Sequence, residues 1–165
     1  MTNPETIINW EKVLAGKLAA FGHRNWIVVA DSAYPLQSHH GIETVVAGAD
    51  HIEVVKTVLA AIDASEHVRA KIYIDHELEF VGDKDAPGIA KFREDLKKCF
   101  EGSHIDKIAH EEIITNLHQA AQMFQILILK TPLTLPYTSV FFRLGCGYWN
   151  ESAEHKLRNV IASRL

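Results

Sequence analysis

The chain has little of what several large function classes require. Only two cysteines occur among 165 residues, Cys99 and Cys146, and they form neither a CxxC motif nor a paired framework. That usage fits reduced thiols in a cytoplasmic protein better than a disulfide scaffold. The apolar runs, Ile126 to Leu129 among them, are far too short to span a bilayer. Met1-Thr2-Asn3-Pro4-Glu5 carries no basic stretch, which argues against a secretory signal. Lys and Arg number 17 against 21 Asp and Glu, a net charge of −4 with His neutral, so no broad cationic surface advertises nucleic acid. Glycine-rich phosphate loops are missing as well. Asp31-Ser32-Ala33-Tyr34-Pro35 has no glycine, and Gly145-Cys146-Gly147 is too short and follows a strand. No GxSxG elbow and no HExxH helix occurs. A soluble protein without nucleotide, membrane or nucleic-acid signatures is what remains.

The length suits a single domain, residues 1–165, with a real core. Its most organised stretch runs from Gly22 to Pro35. The β-branched run Ile27-Val28-Val29 reads as a buried strand. Gly22 stops a preceding helix, and Pro35 marks a loop. His23 stands before that strand and Asp31 after it, an ionisable group at either end.

Alternation continues along the chain. Residues 3 to 21 read as a helix, with Asn3 as cap, Pro4 in the first turn, and Ile7, Trp10, Leu14, Leu18 and Phe21 at helical spacing. Gly41 to Val46 suits a short strand. Asp50 caps a helix carrying Ile52, Val55, Val58, Leu59 and Ile62. Val68 to Leu78 contains a strand, and Ile89 to Phe100 a helix. Ile105 to Ala109 and Glu111 to Ala121 follow as strand and helix. Phe124 to Lys130 and Tyr137 to Leu144 are the last strands, before a helix at Ser152 to Ser163 with Leu157, Val160 and Ile161 on one side. Helices alternating with buried strands predict a layered α/β/α, Rossmann-like fold with a mixed, largely parallel sheet. The apolar and aromatic segment Ser139 to Leu144, followed by Tyr148 and Trp149, fits either a core strand or a subunit interface.

Ten histidines are more than composition would supply, yet they are scattered. His39-His40 and Asp75-His76-Glu77 are adjacent in sequence, and neighbours on an extended segment point to opposite faces, so neither makes a good chelate. Most read as surface or hydrogen-bonded groups, and no metal site is expected. Cys146 between two glycines reads as a small residue in a tight turn, with an accessible nucleophile as the other reading.

The stretch Gly22-His23-Arg24-Asn25-Trp26-Ile27-Val28-Val29-Ala30-Asp31 and the following Pro35 resemble the start of the D-ribose pyranase and L-fucose mutarotase family (RbsD/FucU). The resemblance continues in Ala109-His110-Glu111-Glu112 and in the spacing from Lys130 to Pro136-Tyr137-Thr138-Ser139, and spans residues 14 to 144. It implies an isomerase without cofactor, acting on a free monosaccharide. It also implies His23 as proton donor, with Asp31, His110, Tyr137, Thr138 and Ser139 binding the sugar. A ring-shaped homo-oligomer is implied too, with ten subunits as one option and sites near subunit boundaries. The chain departs from the family pattern at three places. Ser139 replaces an Asn, extra residues between His110 and Tyr137 leave Thr115 and His118 as further occupants of the later-histidine role, and a family-atypical helix at 150–165 follows the usual end.

Chemically, ring opening needs a base for the anomeric hydroxyl and an acid for the ring oxygen, and histidine near neutral pH serves either role. Asp31 can hold sugar hydroxyls or fix a histidine tautomer. An extended chain between His23 and Asp31 puts them roughly 20 Å or more apart, so one pocket needs a bend or a second subunit. Two other readings stand beside this one: a non-catalytic sugar-binding or transport-associated protein, and a metal-dependent hydrolase or lyase drawing on the histidines.

Overall fold

The computed structural model describes residues 8–165. The expected cap Asn3, Pro4 and Ile7 lie outside the described residues. Within them, the first helix, α1 (Trp10–Ala20), begins later than its apolar spacing predicted. Asn9 is extended and its side chain accepts from Lys12 N at 3.1 Å, which fixes the start.

The remaining elements follow in the expected alternation. They are β1 (Trp26–Ala30), β2 (Ile42–Val46), α2 (His51–Asp63), β3 (Val68–Asp75), a 3₁₀ turn (His76–Phe80), α3 (Ile89–Cys99), β4 (Ile105–Ile108), α4 (His110–Ala121), β5 (Ile126–Lys130), β6 (Val140–Cys146) and α5 (Glu151–Ala162). Asp50 caps α2 as its position suggested. β5 starts two residues late because Phe124 and Gln125 belong to the turn leaving α4; Phe124 N still donates to Ala120 O. β6 starts three residues late because Tyr137 adopts a left-handed φ of 57°, which no strand accommodates.

All six strands form one sheet in the order β2-β5-β1-β6-β3-β4. β1, β2 and β5 pair in parallel, as do β3 and β4, while β6 runs against both β1 and β3. Five strands therefore share one direction and only β6 opposes them, the mixed and largely parallel sheet expected. The order differs from the dinucleotide-binding arrangement, because β6 is inserted between β1 and β3.

Period-two alternation divides the strand residues between two apolar layers. Ile27, Val29, Ile72, Leu127, Leu129 and Phe142 face α1, α2 and α3, while Val28, Tyr73, Ile128 and Phe141 face α4. β1 is buried throughout, as its unbroken apolar run required. Phe141 and Phe142 are both fully buried inside the chain. The apolar segment of β6 is thus core rather than interface, whereas Tyr148 and Trp149 beyond it stay exposed. Gly147 packs so closely that a Cβ would collide with the Glu66 carbonyl and stand 2.8 Å from Val68 N. Cys146 ends β6 opposite Val68, a small residue entering a tight turn. Beyond it α5 buries no side chain; Leu157, Val160 and Ile161 are all exposed.

Candidate active site

Insertion of β6 between β1 and β3 decides where polar residues meet. Val140 pairs with Val29 of β1 on one side and Ile74 of β3 on the other. The residue before Val140, Ser139, therefore lies between the end of β1, which Asp31 directly follows, and Asp75, the last residue of β3. The C-terminal edge of a parallel sheet is where open α/β folds place ligands, since loops there diverge and leave a crevice.

Ser139 Oγ donates to Asp31 Oδ1 at 3.0 Å. Asp75 is 1% exposed, and its Oδ1 accepts from His110 Nδ1 at 3.0 Å. His110 opens α4, whose cap position is Ala109, a residue with no capping oxygen. Glu77 of the 3₁₀ turn supplies it: both carboxylate oxygens accept from His110 N at 3.0 Å. Burial works against that charge, but the backbone N–H groups of Glu77 and His110 hold the carboxyl below its usual range. Tyr137 closes the cluster, its ring 5.6 Å from the His110 ring and nearly perpendicular to it.

Two buried polar atoms here have no hydrogen-bond partner among the described residues, Asp75 Oδ2 and the Tyr34 hydroxyl. Native proteins rarely leave such groups unpaired except where a ligand or ordered water takes the place. Burial raises the Asp75 carboxyl to about 6 against the pull of His110, with Glu77 and Asp31 adding to the rise. Burial, then Asp75 and Asp31, push the Tyr34 hydroxyl up as well.

Behind this edge, His51 Nε2 donates to the Thr138 carbonyl at 2.8 Å. A carbonyl only accepts, so Nε2 carries the proton. Burial lowers His51 to about 4, so the ring is neutral and Nδ1 accepts from Thr131 Oγ1 at 2.7 Å. Thr138 Oγ1 donates to Leu135 O at 2.7 Å. The turn holding Tyr137 is therefore pinned through Thr138 at both its hydroxyl and its carbonyl.

Four of the sequence-derived site residues, Asp31, His110, Tyr137 and Ser139, thus line one edge, while Thr138 is fully buried and supports them from behind. His110, rather than Thr115 or His118, is the later histidine that reaches the cluster. His118 instead packs edge-on to His39. His23 is not in the cluster. It precedes β1, and the next residue, Arg24, bonds through its N to Leu144 O near the far end of β6. Five strand residues separate the two edges by about 17 Å.

At its own edge His23 lines a groove of 1120 Å³ with Arg24, Arg69, Lys71, Arg143 and Trp149. Lys71 lies directly opposite Arg143, an unfavourable like-charge pair. Arg24 has a left-handed φ of 78° and its Nε donates to His23 Nε2 at 3.3 Å.

Sequence reading passed over Asp75, Tyr34, His51 and Thr131. For Asp75 the signal was present: an acid ending an apolar strand, in the same position that singled out Asp31. Among the described residues no group of three or more His, Cys, Asp and Glu stands together in a way that would hold a metal ion. The metal-dependent reading finds no ligand set in this geometry. No helix of the described residues is long and apolar enough to cross a membrane.

Comparison with known proteins agrees with this fold. Bacillus subtilis RbsD complexed with D-ribose superposes with a TM-score of 0.57 at 19% identity, covering 88% of this chain and 98% of that one. The fucose mutarotase of Streptococcus pneumoniae in complex with L-fucose gives 0.56 at 19% identity, covering 87% and 96%. FucU from Bifidobacterium longum gives 0.55 at 17% identity, covering 86% and 96%. At these identities the likeness is one of fold. A search of curated proteins finds no significant match. The family model described as the RbsD / FucU transport protein family matches residues 4–146, leaving α5 outside. This chain belongs to the RbsD / FucU transport protein family.

Proposed function

We propose that this chain is a mutarotase or pyranase that interconverts ring forms of a free monosaccharide by acid–base ring opening. The observation that carries the reading is the convergence of Asp31, His110, Tyr137 and Ser139 at the C-terminal edge of the parallel strands. Structural neighbours described as complexes with D-ribose and L-fucose support a small sugar as ligand. Asp31, with one oxygen engaged by Ser139, keeps its second oxygen for a sugar hydroxyl. Tyr137, 40% exposed, offers a ring face and a hydroxyl.

His23 enters as proton donor from another copy of the chain. The groove around it has five Arg and Lys against the three acids Asp63, Glu151 and Glu154, a net positive lining, whereas the sugar edge carries Asp31, Asp75, Glu77, Glu111 and Glu112. Complementary charge favours docking one copy's sugar edge into the next copy's groove. Such a contact joins two different surfaces, and when the rotation closes it generates a ring. A ring-shaped homo-oligomer, with a decamer as one size to test, follows from this arrangement. We read residues 1–165 as one domain carrying α5 as an appended helix, resident in the cytoplasm with no nucleic-acid or membrane partner.

Exchange NMR on free monosaccharides, with D-ribose and L-fucose in the panel, tests the activity. Acceleration of ring exchange by the purified chain is expected for at least one sugar. Binding without acceleration would favour the sugar-binding or transport-associated role instead. Mixing His23→Ala and Tyr137→Ala proteins after dissociation should restore part of the lost activity, because some boundaries then hold both intact residues. Mixtures that stay inactive would place His23 and Tyr137 in one chain's site.

A further inference from the structure

Resting on that reading, we propose that His110 is the catalytic base of the site and that Asp75 is its positioning residue, holding the imidazole with Nε2 bare and aimed at the sugar. The position of His110 is determined twice. Glu77 fixes its backbone by two 3.0 Å bonds, and Asp75 fixes its ring by one. An ionised carboxylate only accepts, so Nδ1 carries the proton and Nε2 keeps its lone pair. Nε2 makes no hydrogen bond within the described residues, and the His110 side chain is 31% exposed beside Tyr137. A base within hydrogen-bond reach of open space, with its other nitrogen held by a buried acid, is the arrangement general-base chemistry uses.

The step balances without further reagents. His110 Nε2 takes the proton from the anomeric hydroxyl, and the released electron pair forms the C1=O bond. The bond from C1 to the ring oxygen breaks, and that oxygen takes a proton from the acid, His23 of the adjoining copy. Reclosure on either face of the aldehyde reverses both transfers. During the step His110 becomes an imidazolium, and the Asp75 carboxylate opposite Nδ1 stabilises it. Asp75 is well placed for that work, because almost no solvent screens a charge at 1% exposure. Its second oxygen, buried, adds an acceptor that no other described group claims. The groups facing Asp75 are His110, Glu77, Asp31 and the Tyr34 hydroxyl. Only His110 among them favours its ionised form, so loss of that form on acidification turns off the base.

Asp75→Asn tests the assignment. The amide conserves volume but loses the charge and can donate to Nδ1, moving the His110 proton to Nε2. Exchange should slow by ~10²–10⁴, the usual contribution of a positioned acid or base. Sugar affinity, read by saturation-transfer difference, should stay near the parent value. Nitrogen-15 shifts of His110 should report an Nδ1–H ring in the parent and an Nε2–H ring in the variant. The acid limb of the pH–rate profile should change shape between the two. An Asn chain that exchanges sugar at the parent rate, or a parent His110 protonated on Nε2, overturns the assignment. Should the Asn chain fail to fold, His110→Gln carries the same kinetic test. A parent chain that exchanges no sugar overturns the functional reading and this assignment together. A fast Asp75→Asn chain overturns only the latter.

Discussion

Ser139 Oγ donates to Asp31 Oδ1 at 3.0 Å, bridging the residue after β1 and the residue before β6. The resemblance to the sugar isomerases led one to expect an Asn at 139, so the bond shows what the hydroxyl retains. It keeps one donor for the carboxylate and gives up the second group of an amide. Ser139→Ala should therefore free Asp31 to rotate and slow sugar exchange about tenfold, the loss of one hydrogen bond to a charged group. Ser139→Asn should retain exchange, because its amide N–H replaces the donor. Exchange NMR on both variants checks the pair. An Ala variant as fast as the parent would mean that Asp31 needs no orienting.

Asp75 and His51 make opposite contributions to stability against pH. Asp75 titrates at about 6 in the fold against 3.8 ordinarily, so the stability it allows is greatest below 3.8 and is lost as pH rises through 6. His51 titrates at about 4 against 6.5, so its contribution is present above 6.5 and is lost as pH falls through 4. Each shift corresponds to about 3 kcal/mol, and over the shared window the two slopes oppose each other. Substitution should expose one slope at a time. Relative to the parent, Asp75→Asn should gain stability as pH rises from 4 to 6, and His51→Gln should gain as pH falls from 6.5 to 4. Urea unfolding across a pH series measures both. Parallel curves for parent and variant would show that the group titrates normally in the fold.

What could be read from the sequence was mostly what one segment settles by itself. Ile27 to Val29 announced β1, and Asp50 announced the start of α2. Asp31 stood out at the end of an apolar run, whereas His110 and the Tyr137 to Ser139 segment came from the resemblance to the sugar isomerases. The insertion of β6 between β1 and β3 was not legible, because pairing partners distant in sequence are chosen by sheet packing rather than by local propensity. Without that order nothing placed Asp75 beside His110, although it ends an apolar strand much as Asp31 follows one, and Asp75-His76-Glu77 looked like three adjacent polar residues. In the fold they separate: Asp75 turns into the core, Glu77 caps α4, and His76 stays at the surface. That His23 and Asp31 stand at opposite edges of the sheet was legible, since a buried apolar run such as Ile27 to Val29 makes an extended strand between them.

Tyr137 carries a left-handed φ of 57°, and Thr138 next to it is tied to Leu135 and His51. The conformation is imposed by those bonds, since tyrosine gains nothing from it. Tyr137→Gly should therefore be more stable than Tyr137→Ala by about 1 kcal/mol, the relief of a Cβ in that region less the entropy of glycine. Both should exchange sugar slowly, having lost the ring beside His110. Thermal unfolding and exchange NMR together separate strain from function. An Ala variant at least as stable as the Gly variant would show that residue 137 relaxes out of the left-handed region.

α5 follows the family-matched region and buries none of its side chains, with Leu157, Val160 and Ile161 at 42%, 51% and 43% exposure. Twelve residues are too few for a stable isolated helix in water. Local bonds hold it in place: Asn150 caps Ala153 N, Trp149 Nε1 donates to Glu154, and Arg158 pairs with the same carboxylate. None of these ties reaches the apolar layers. Removing residues 151–165 should accordingly shift the thermal midpoint by no more than about 2–4 °C, the effect of about 1 kcal/mol in a chain of this size. Trp149 fluorescence should become more accessible to quenchers as its Glu154 partner is lost. A midpoint that falls far beyond that range, with a dependence on protein concentration that the parent lacks, would show instead that α5 covers apolar surface between assembled copies.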